Sequence, residues 1–185
     1  ANVQHAALTS TDLHEPKGAA AASLGEVYIA NGAGSGAFGP VALSHSQVYT
    51  IEADSFAVAT IGVTAQTLVF NHNGPTSLLV PAFAAGTITV TDAGNYYVSV
   101  IVSCSTAAAG DAGSYELKVL SNGVASILAV KRDLSGTSDH ASLSTTGILT
   151  LSASAVLSVT VESDEAGNTD DLNIYNATFS VLKIS

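Results

Sequence analysis

The chain has 185 residues, of which 11% are charged, and 15 acidic against 5 basic residues give a net charge of −10 at pH 7. This balance argues against a nucleic-acid partner, because neutralising phosphates requires clustered Lys and Arg. A single cysteine, Cys104, excludes an intrachain disulfide framework. No apolar run approaches the roughly 20 residues that span a bilayer, and the opening ANVQHAALTS does not look like a signal peptide, so we expect no membrane partner.

The small charged fraction stands beside a mean hydropathy of +0.40. A typical domain has about 25% charged residues, which keep its exterior solvated. We therefore expect part of the surface to lie against other chains. The alternative is a monomer whose exterior is covered by Ser and Thr.

The sequence of residues 1–45 predicts an extended N-terminal arm. Pro16 disfavours helix at the residue before it, although KGAAAAS could form a turn or two. EVYIA (Glu26–Ala30) fits one short strand, and the glycines of NGAGSGAFGP predict a flexible joint. The string GSGAFG matches G-x-G-x-x-G, but Pro40 and the absence of a following helical pattern argue against a dinucleotide site.

Residues 46–185 predict a succession of strands. QVYTI, FAVATI, TLVF and GTITVT are β-rich runs between polar breaks. NYYVSVIVSCS then alternates with period 2, which places Tyr96, Val98 and Val100 on one face of a half-buried strand. SYELKVL and VASILAV flank Ser121-Asn122-Gly123, and Asn-Gly in this position predicts a type I′ hairpin.

The remaining runs are HASLSTTGILTLSA, AVLSVTVES and LNIYNATFSVLKI. In the last run, period-2 alternation places Tyr175, Ala177, Phe179 and Val181 on one face. Eight to ten short strands without a helical stripe predict an all-β jelly-roll sandwich. Tyr96, Val98, Val100, Tyr175 and Phe179 are expected in the sheet core or at a contact between copies, and the pattern leaves both possibilities open.

No motif indicates an enzyme, a metal site or a cofactor. Cys104 alternates with valines, as a small buried apolar residue does. The five histidines lack the spacing of a zinc site. The acidic stretch ESDEAGNTDD (Glu162–Asp171) does not fit the EF-hand ladder, and we expect a solvated loop rather than a Ca²⁺ site.

DAGNYYVSVIVS (Asp92–Ser103) resembles the Gly-x-Tyr-x-aromatic-x-aromatic strand of the complement and tumour-necrosis-factor jelly roll, and ATFSVLKI is similar to the aromatic-bearing last strand of that family. The family prefers aromatic residues where this chain has Val98 and Val100. The resemblance implies a ten-stranded, two-sheet domain over residues 46–185 that forms a tight homotrimer, with apolar faces meeting on a threefold axis.

HAALTSTDLHEPKGAAAA followed by GEVYIANGAGSGAF resembles the N-terminal segment of many tailed-bacteriophage virion proteins, including capsid cement (decoration) proteins and fibres. It implies an arm that anchors a trimeric knob to the virion. The expected function is a non-enzymatic capsid cement protein, made in the bacterial host cytoplasm and bound to the major capsid protein at the capsid surface. The expected capsid-binding residues are Leu8, Leu13 and Pro16 for apolar contact, Asp12, His14, Glu15 and Lys17 for polar contact, and Gly18 for a bend.

Two alternatives stay open. The knob could instead belong to a tail or head fibre and bind a host receptor or glycan through its loops. The absence of Trp and the placement of most Tyr in strands favour the cement function. A polysaccharide depolymerase is the third reading, and no sequence motif supports it.

Overall fold

The computed structural model describes residues 26–30, 36–40, 43–108, 111–135, 139–166 and 170–185. The chain divides into two units, Ala1–Ala42 and Leu43–Ser185. None of the helical segments among these residues is long and apolar enough to cross a membrane.

The first unit contains an antiparallel hairpin of strands β1 (Glu26–Ala30) and β2 (Gly36–Pro40), paired from Glu26↔Pro40 to Ala30↔Gly36. The strand expected at EVYIA is confirmed. The expectation of a flexible joint is wrong for Gly36–Pro40, because its backbone groups pair with β1 and so offset the entropy that its glycines lose. The division at residue 45 and the extended character of the arm stay predictions.

The described residues of the second unit form two six-stranded antiparallel sheets. Its strands are β3 (His45–Thr50), β4 (Phe56–Ile61), β5 (Gln66–Thr67), β6 (His72–Asn73), β7 (Leu79–Ala82), β8 (Thr87–Val90), β9 (Gly94–Thr106), β10 (Gly113–Ser121), β11 (Val124–Leu134), β12 (His140–Leu151), β13 (Val156–Ser163) and β14 (Asp170–Lys183). Single 3-10 turns occur at Glu52–Asp54 and Phe83–Ala85.

Sheet I has the order β12-β9-β14-β3-β6, with β4 also paired to β14. Sheet II has the order β11-β10-β13-β8-β7, with β5 paired to β13. From β8 onward the chain passes repeatedly between the sheets, and the first and last strands, β3 and β14, are neighbours. This is a jelly roll, and the expected fold class is confirmed.

One apolar core lies between the sheets and draws on strands of both. Alternation along β9 sends Tyr96, Val98 and Val100 into it, and Phe179 of β14 lies there as well, all of them fully buried. The Tyr96 hydroxyl donates to the backbone oxygen of Asp92 at 2.7 Å, so its polar atom is satisfied at the edge of the core.

Tyr175 lies elsewhere, and the expectation that it shares a face with Ala177 and Phe179 is wrong. The pairing of β14 with β9 shifts register between Ile174 and Asn176. This bulge inserts one extra residue, so the inward positions before it are Leu172 and Ile174 rather than Tyr175. The Tyr175 side chain is half-buried and contacts the opposite face of sheet I.

The hairpin between β10 and β11 turns at Asn122 and Gly123, as the sequence predicts. Both residues have positive φ, 51° and 77°, which is the requirement of a type I′ turn. The Asn122 side-chain oxygen also accepts a hydrogen bond from the Val156 backbone N–H at 2.9 Å. The turn is therefore tied to the neighbouring strand β13.

Candidate functional site

A part of the outward face of sheet I that carries no charged side chain is the candidate functional surface, and we call it the neutral face. It comprises the outward positions of β12 and β9 and those of β14 from Asn176 to Leu182. These residues are His140, Ser142, Ser144, Thr146, Ile148 and Thr150 on β12, Asn95, Tyr97, Ser99, Ile101, Ser103 and Ser105 on β9, and Asn176, Thr178, Ser180 and Leu182 on β14. None of them is Asp, Glu, Lys or Arg.

The outward face of sheet II differs in its charges. Lys118 of β10 lies between two carboxylates, with its Nζ 2.5 Å from an oxygen of Glu162 and 3.2 Å from one of Glu116. These hydrogen bonds, the one to Glu162 above all, raise the pKa of Lys118. Lys131 is the cross-strand partner of Glu116 on β11. Burying such ions against another chain costs several kcal/mol each, so this face suits solvent.

Apolar side chains are distributed along the neutral face. Tyr97 and Ile148 are directly paired across β9 and β12, with 43% and 55% of their surfaces exposed. Ile101, 51% exposed, lies farther along β9, and both Tyr97 and Ile101 line a shallow cavity of about 290 Å³. Large apolar residues are also exposed elsewhere, such as Ile127 on β11, so the absence of charge is what distinguishes this surface.

At one end of the neutral face, Tyr175 and His140 lie next to Ser105. Its hydroxyl lies 3.0 Å from the Tyr175 hydroxyl, and the Tyr175 and His140 rings are 5.4 Å apart between centroids. Ser105 is buried beneath these rings. The bulge in β14 therefore adds an aromatic side chain to this surface, which period-2 alternation could not reveal.

The structure separates the sequence-predicted site residues into two groups. Four lie in the core (Tyr96, Val98, Val100 and Phe179) and Tyr175 lies at the neutral face. The predicted capsid-binding residues lie outside the described residues: Leu8, Asp12, Leu13, His14, Glu15, Pro16, Lys17 and Gly18. Their binding role stays a prediction. Tyr97 and Ile101 lie on the reverse face of β9, which the alternation alone does not distinguish from the face of Tyr96. Ile148 of β12 was not singled out by the sequence.

Metal-ligating and nucleophilic side chains are the remaining candidates for chemistry among the described residues. No group of three or more His, Cys, Asp or Glu side chains in this part of the chain is placed to hold a metal ion. Cys104 is buried, as expected, and burial raises the pKa of its thiol to about 11. A thiol with so high a pKa is a poor nucleophile near neutral pH.

The fold has counterparts among solved structures, although no protein-family profile and no curated protein matches the chain. The globular domain of the zebrafish complement 1qA protein is similar over 77% of this chain and 98% of its own, with 20% identity and a TM-score of 0.48. The Eiger TNF structure from S. frugiperda is similar over 78% of this chain and 94% of its own, with 12% identity and a TM-score of 0.56. The latter similarity shows that the chain has the jelly-roll fold of that protein.

Proposed function

We propose that this protein is a capsid cement protein of a tailed bacteriophage. In this proposal the jelly roll forms a homotrimeric knob through its neutral face, and the N-terminal segments bind major capsid protein subunits at the virion surface. The observation that carries the proposal is the neutral face itself. The sequence resemblances of Asp92–Ser103 and of residues 5–38 support, respectively, the trimer and the phage particle.

The contrast between the two sheets favours association through sheet I. Hydroxyl and amide side chains can exchange hydrogen bonds with water for bonds across an interface at little net cost, whereas ions such as Lys118 cannot. Burying Tyr97, Ile101 and Ile148 then supplies a net gain of about 25 cal/mol per Å² of apolar surface. The neutral face is thus the side of the sandwich from which a second copy removes water at the lower cost.

A trimeric knob gives the N-terminal segments a physical advantage. One arm that orders on a capsid subunit loses conformational entropy and binds modestly. Joining three arms at one axis makes the second and third contacts intramolecular, which raises apparent affinity by about 10²–10⁴. The β1–β2 hairpin fits this function, because a two-stranded hairpin alone is marginally stable in water and gains from lying on a partner surface.

The oligomeric state tests the first half of the proposal. We expect sedimentation equilibrium to give three times the chain mass of 18.5 kDa. Ile101→Asp places a charge in the neutral face and should shift the mass to that of one chain. Val80→Asp is the matched control, since Val80 is similarly exposed but lies on sheet II, and it should stay trimeric.

Circular dichroism should show the same β content for both variants, because each replaces an exposed side chain. A wild-type protein that sediments as one chain at micromolar concentration would contradict the proposal. An Ile101→Asp variant that keeps the wild-type mass would move the interface away from the neutral face.

A further inference from the structure

Carboxylates gather at the beginning of β10, where the proposed function does not use them. A Cβ atom added to Gly113 would lie 3.1 Å from Oδ1 of Asp164 and 3.3 Å from Oδ2 of Asp170. Both oxygens therefore border the space that is free because residue 113 has no side chain. Asp164 follows the end of β13 and Asp170 begins β14, so three strands meet here.

Two oxygen atoms at this point are buried without a hydrogen-bond partner. The Asp170 side chain is almost completely buried, since the residue is only 2% exposed, and its Oδ2 has no partner. The hydroxyl of Ser114 is also buried and unpartnered, while the Ser114 backbone N–H donates to Oδ1 of Asp164 at 2.8 Å. A buried polar atom without a partner costs about 1–3 kcal/mol, and more when it is charged.

Ionised carboxylate oxygens only accept hydrogen bonds. Asp164 Oδ1 already accepts from the Ser114 N–H, but Asp170 Oδ2 borders the same small space with no donor or positive ion of its own. The surrounding charge favours the ion, because the Glu165 and Asp111 carboxylates also act on the Asp170 carboxylate. A bound cation would offset this negative charge. Lys131 shares a pocket with Asp164 on the outward side of sheet II, whereas Asp170 does not line that pocket.

We propose that Asp164 and Asp170 bind a Ca²⁺ ion beside Gly113, with the Ser114 hydroxyl as a further oxygen donor and water completing the shell. The donors are all oxygens, which suits a hard cation rather than zinc. Ca²⁺ accepts six to eight ligands in irregular arrangements, while Mg²⁺ demands a near-ideal octahedron. The acidic stretch Glu162–Asp171, predicted as a solvated loop, supplies both carboxylates.

Terbium luminescence tests this site directly, because Tb³⁺ replaces Ca²⁺ and is excited by a nearby aromatic ring. Tyr115 is two residues from Gly113, and the chain has no Trp to interfere. We expect Tb³⁺ emission that added Ca²⁺ reverses, and calorimetry with Ca²⁺ alone should give a dissociation constant on the order of 10⁻⁴–10⁻³ M. Asp170→Asn should weaken Ca²⁺ binding at least tenfold.

Asp133→Asn is the matched control. It removes the same charge from an exposed position on β11, and its Ca²⁺ affinity should equal that of the wild type. If Asp170→Asn fails to fold, Asp164→Asn replaces it, since an amide oxygen still accepts from the Ser114 N–H. Absence of Ca²⁺ heat from the wild type, or equal affinity in the wild type and the Asp170 or Asp164 variant, would overturn the site. Neither result bears on the oligomeric state.

Discussion

Asp170 is a buried carboxyl group whose ionisation affects the stability of the second unit. Burial is the largest cause that raises its pKa above the ordinary value, and the Glu165 and Asp111 carboxylates add to it, while hydrogen bonds from Ser163 and Tyr115 act in the opposite direction. Because the folded pKa lies above the unfolded one of about 3.9, the stabilisation from the protonated form is complete below that pH. It is lost as the pH rises through the folded pKa, so in metal-free protein the contribution of Asp170 to stability should be smaller at neutral pH than near pH 4.

The Asp170→Asn variant tests the direction of this pH dependence. In EDTA it should unfold at higher urea concentration than the wild type near pH 7, and the difference should narrow as the pH falls towards about 4. Urea denaturation followed by circular dichroism at several pH values measures the difference. Asp133→Asn should follow the wild-type curve throughout. A difference between wild type and Asp170→Asn that does not vary with pH would show that Asp170 keeps an ordinary pKa.

For individual residues, alternation in the sequence predicts which face a side chain occupies only while the register between strands is regular. It places Tyr96, Val98 and Val100 on one face of β9, and the structure buries that face. It fails for Tyr175, because a bulge adds one residue to β14 and no local sequence signal marks it. It also fails for Asp170, whose burial depends on packing against Gly113, more than fifty positions earlier in the chain.

The β10–β11 hairpin is the element whose formation depends most directly on two residues. Asn122→Ala should destabilise the second unit by about 1–3 kcal/mol, because Ala tolerates the φ of 51° poorly and cannot accept from the Val156 N–H. Asn122→Gly keeps the turn conformation accessible and should lose only about 0.5–1.5 kcal/mol for the hydrogen bond. Urea denaturation of both variants separates the two effects. Equal losses would show that backbone strain contributes nothing.

Long strands are easier to predict than short ones, because a longer strand repeats its two-residue alternation more often. β9, β12 and β14 each run for more than ten residues and show their period clearly. β7 (Leu79–Ala82) contains Pro81, which reads as a strand breaker, but β7 lies at the edge of sheet II, where a missing N–H is tolerated. TLVF was expected as a strand, yet only Thr67 belongs to β5. Leu68 pairs through one hydrogen bond to Val159.

For the whole molecule, composition predicts that some surface is covered but does not locate it. The small charged fraction is a property of the entire chain, and either face of β9 satisfied the sequence pattern. Packing between the two sheets determines which face of β9 is buried. The face with Tyr96 lies in the core, and the face with Tyr97 and Ile101 is exposed. The charges then concentrate on sheet II and around the ends of the strands. The proposed association uses one of these surfaces, the neutral face, and mutation of that surface tests it.

Removing residues 1–42 tests whether the arm binds the capsid while the jelly roll alone forms the oligomer. The deletion should stop there, because the backbone oxygen of Ser44 accepts a hydrogen bond from the Lys183 N–H at 2.8 Å. We expect the fragment Leu43–Ser185 to fold and keep the wild-type oligomeric state, but to lose binding to phage particles that lack the protein. Co-sedimentation with such particles measures binding.

The full-length Ile101→Asp variant is the complementary control for that experiment. It keeps the arm but should be a single chain, so its affinity for particles should fall by about 10²–10⁴ without vanishing. Loss of binding in the truncated trimer would show that the arm makes the contact with the particle. Weakened binding in the full-length monomer would show that joining three arms raises the apparent affinity. Undiminished binding by the truncated protein would remove the arm from the mechanism. Binding to host cells rather than to particles would instead favour a fibre knob that contacts a receptor.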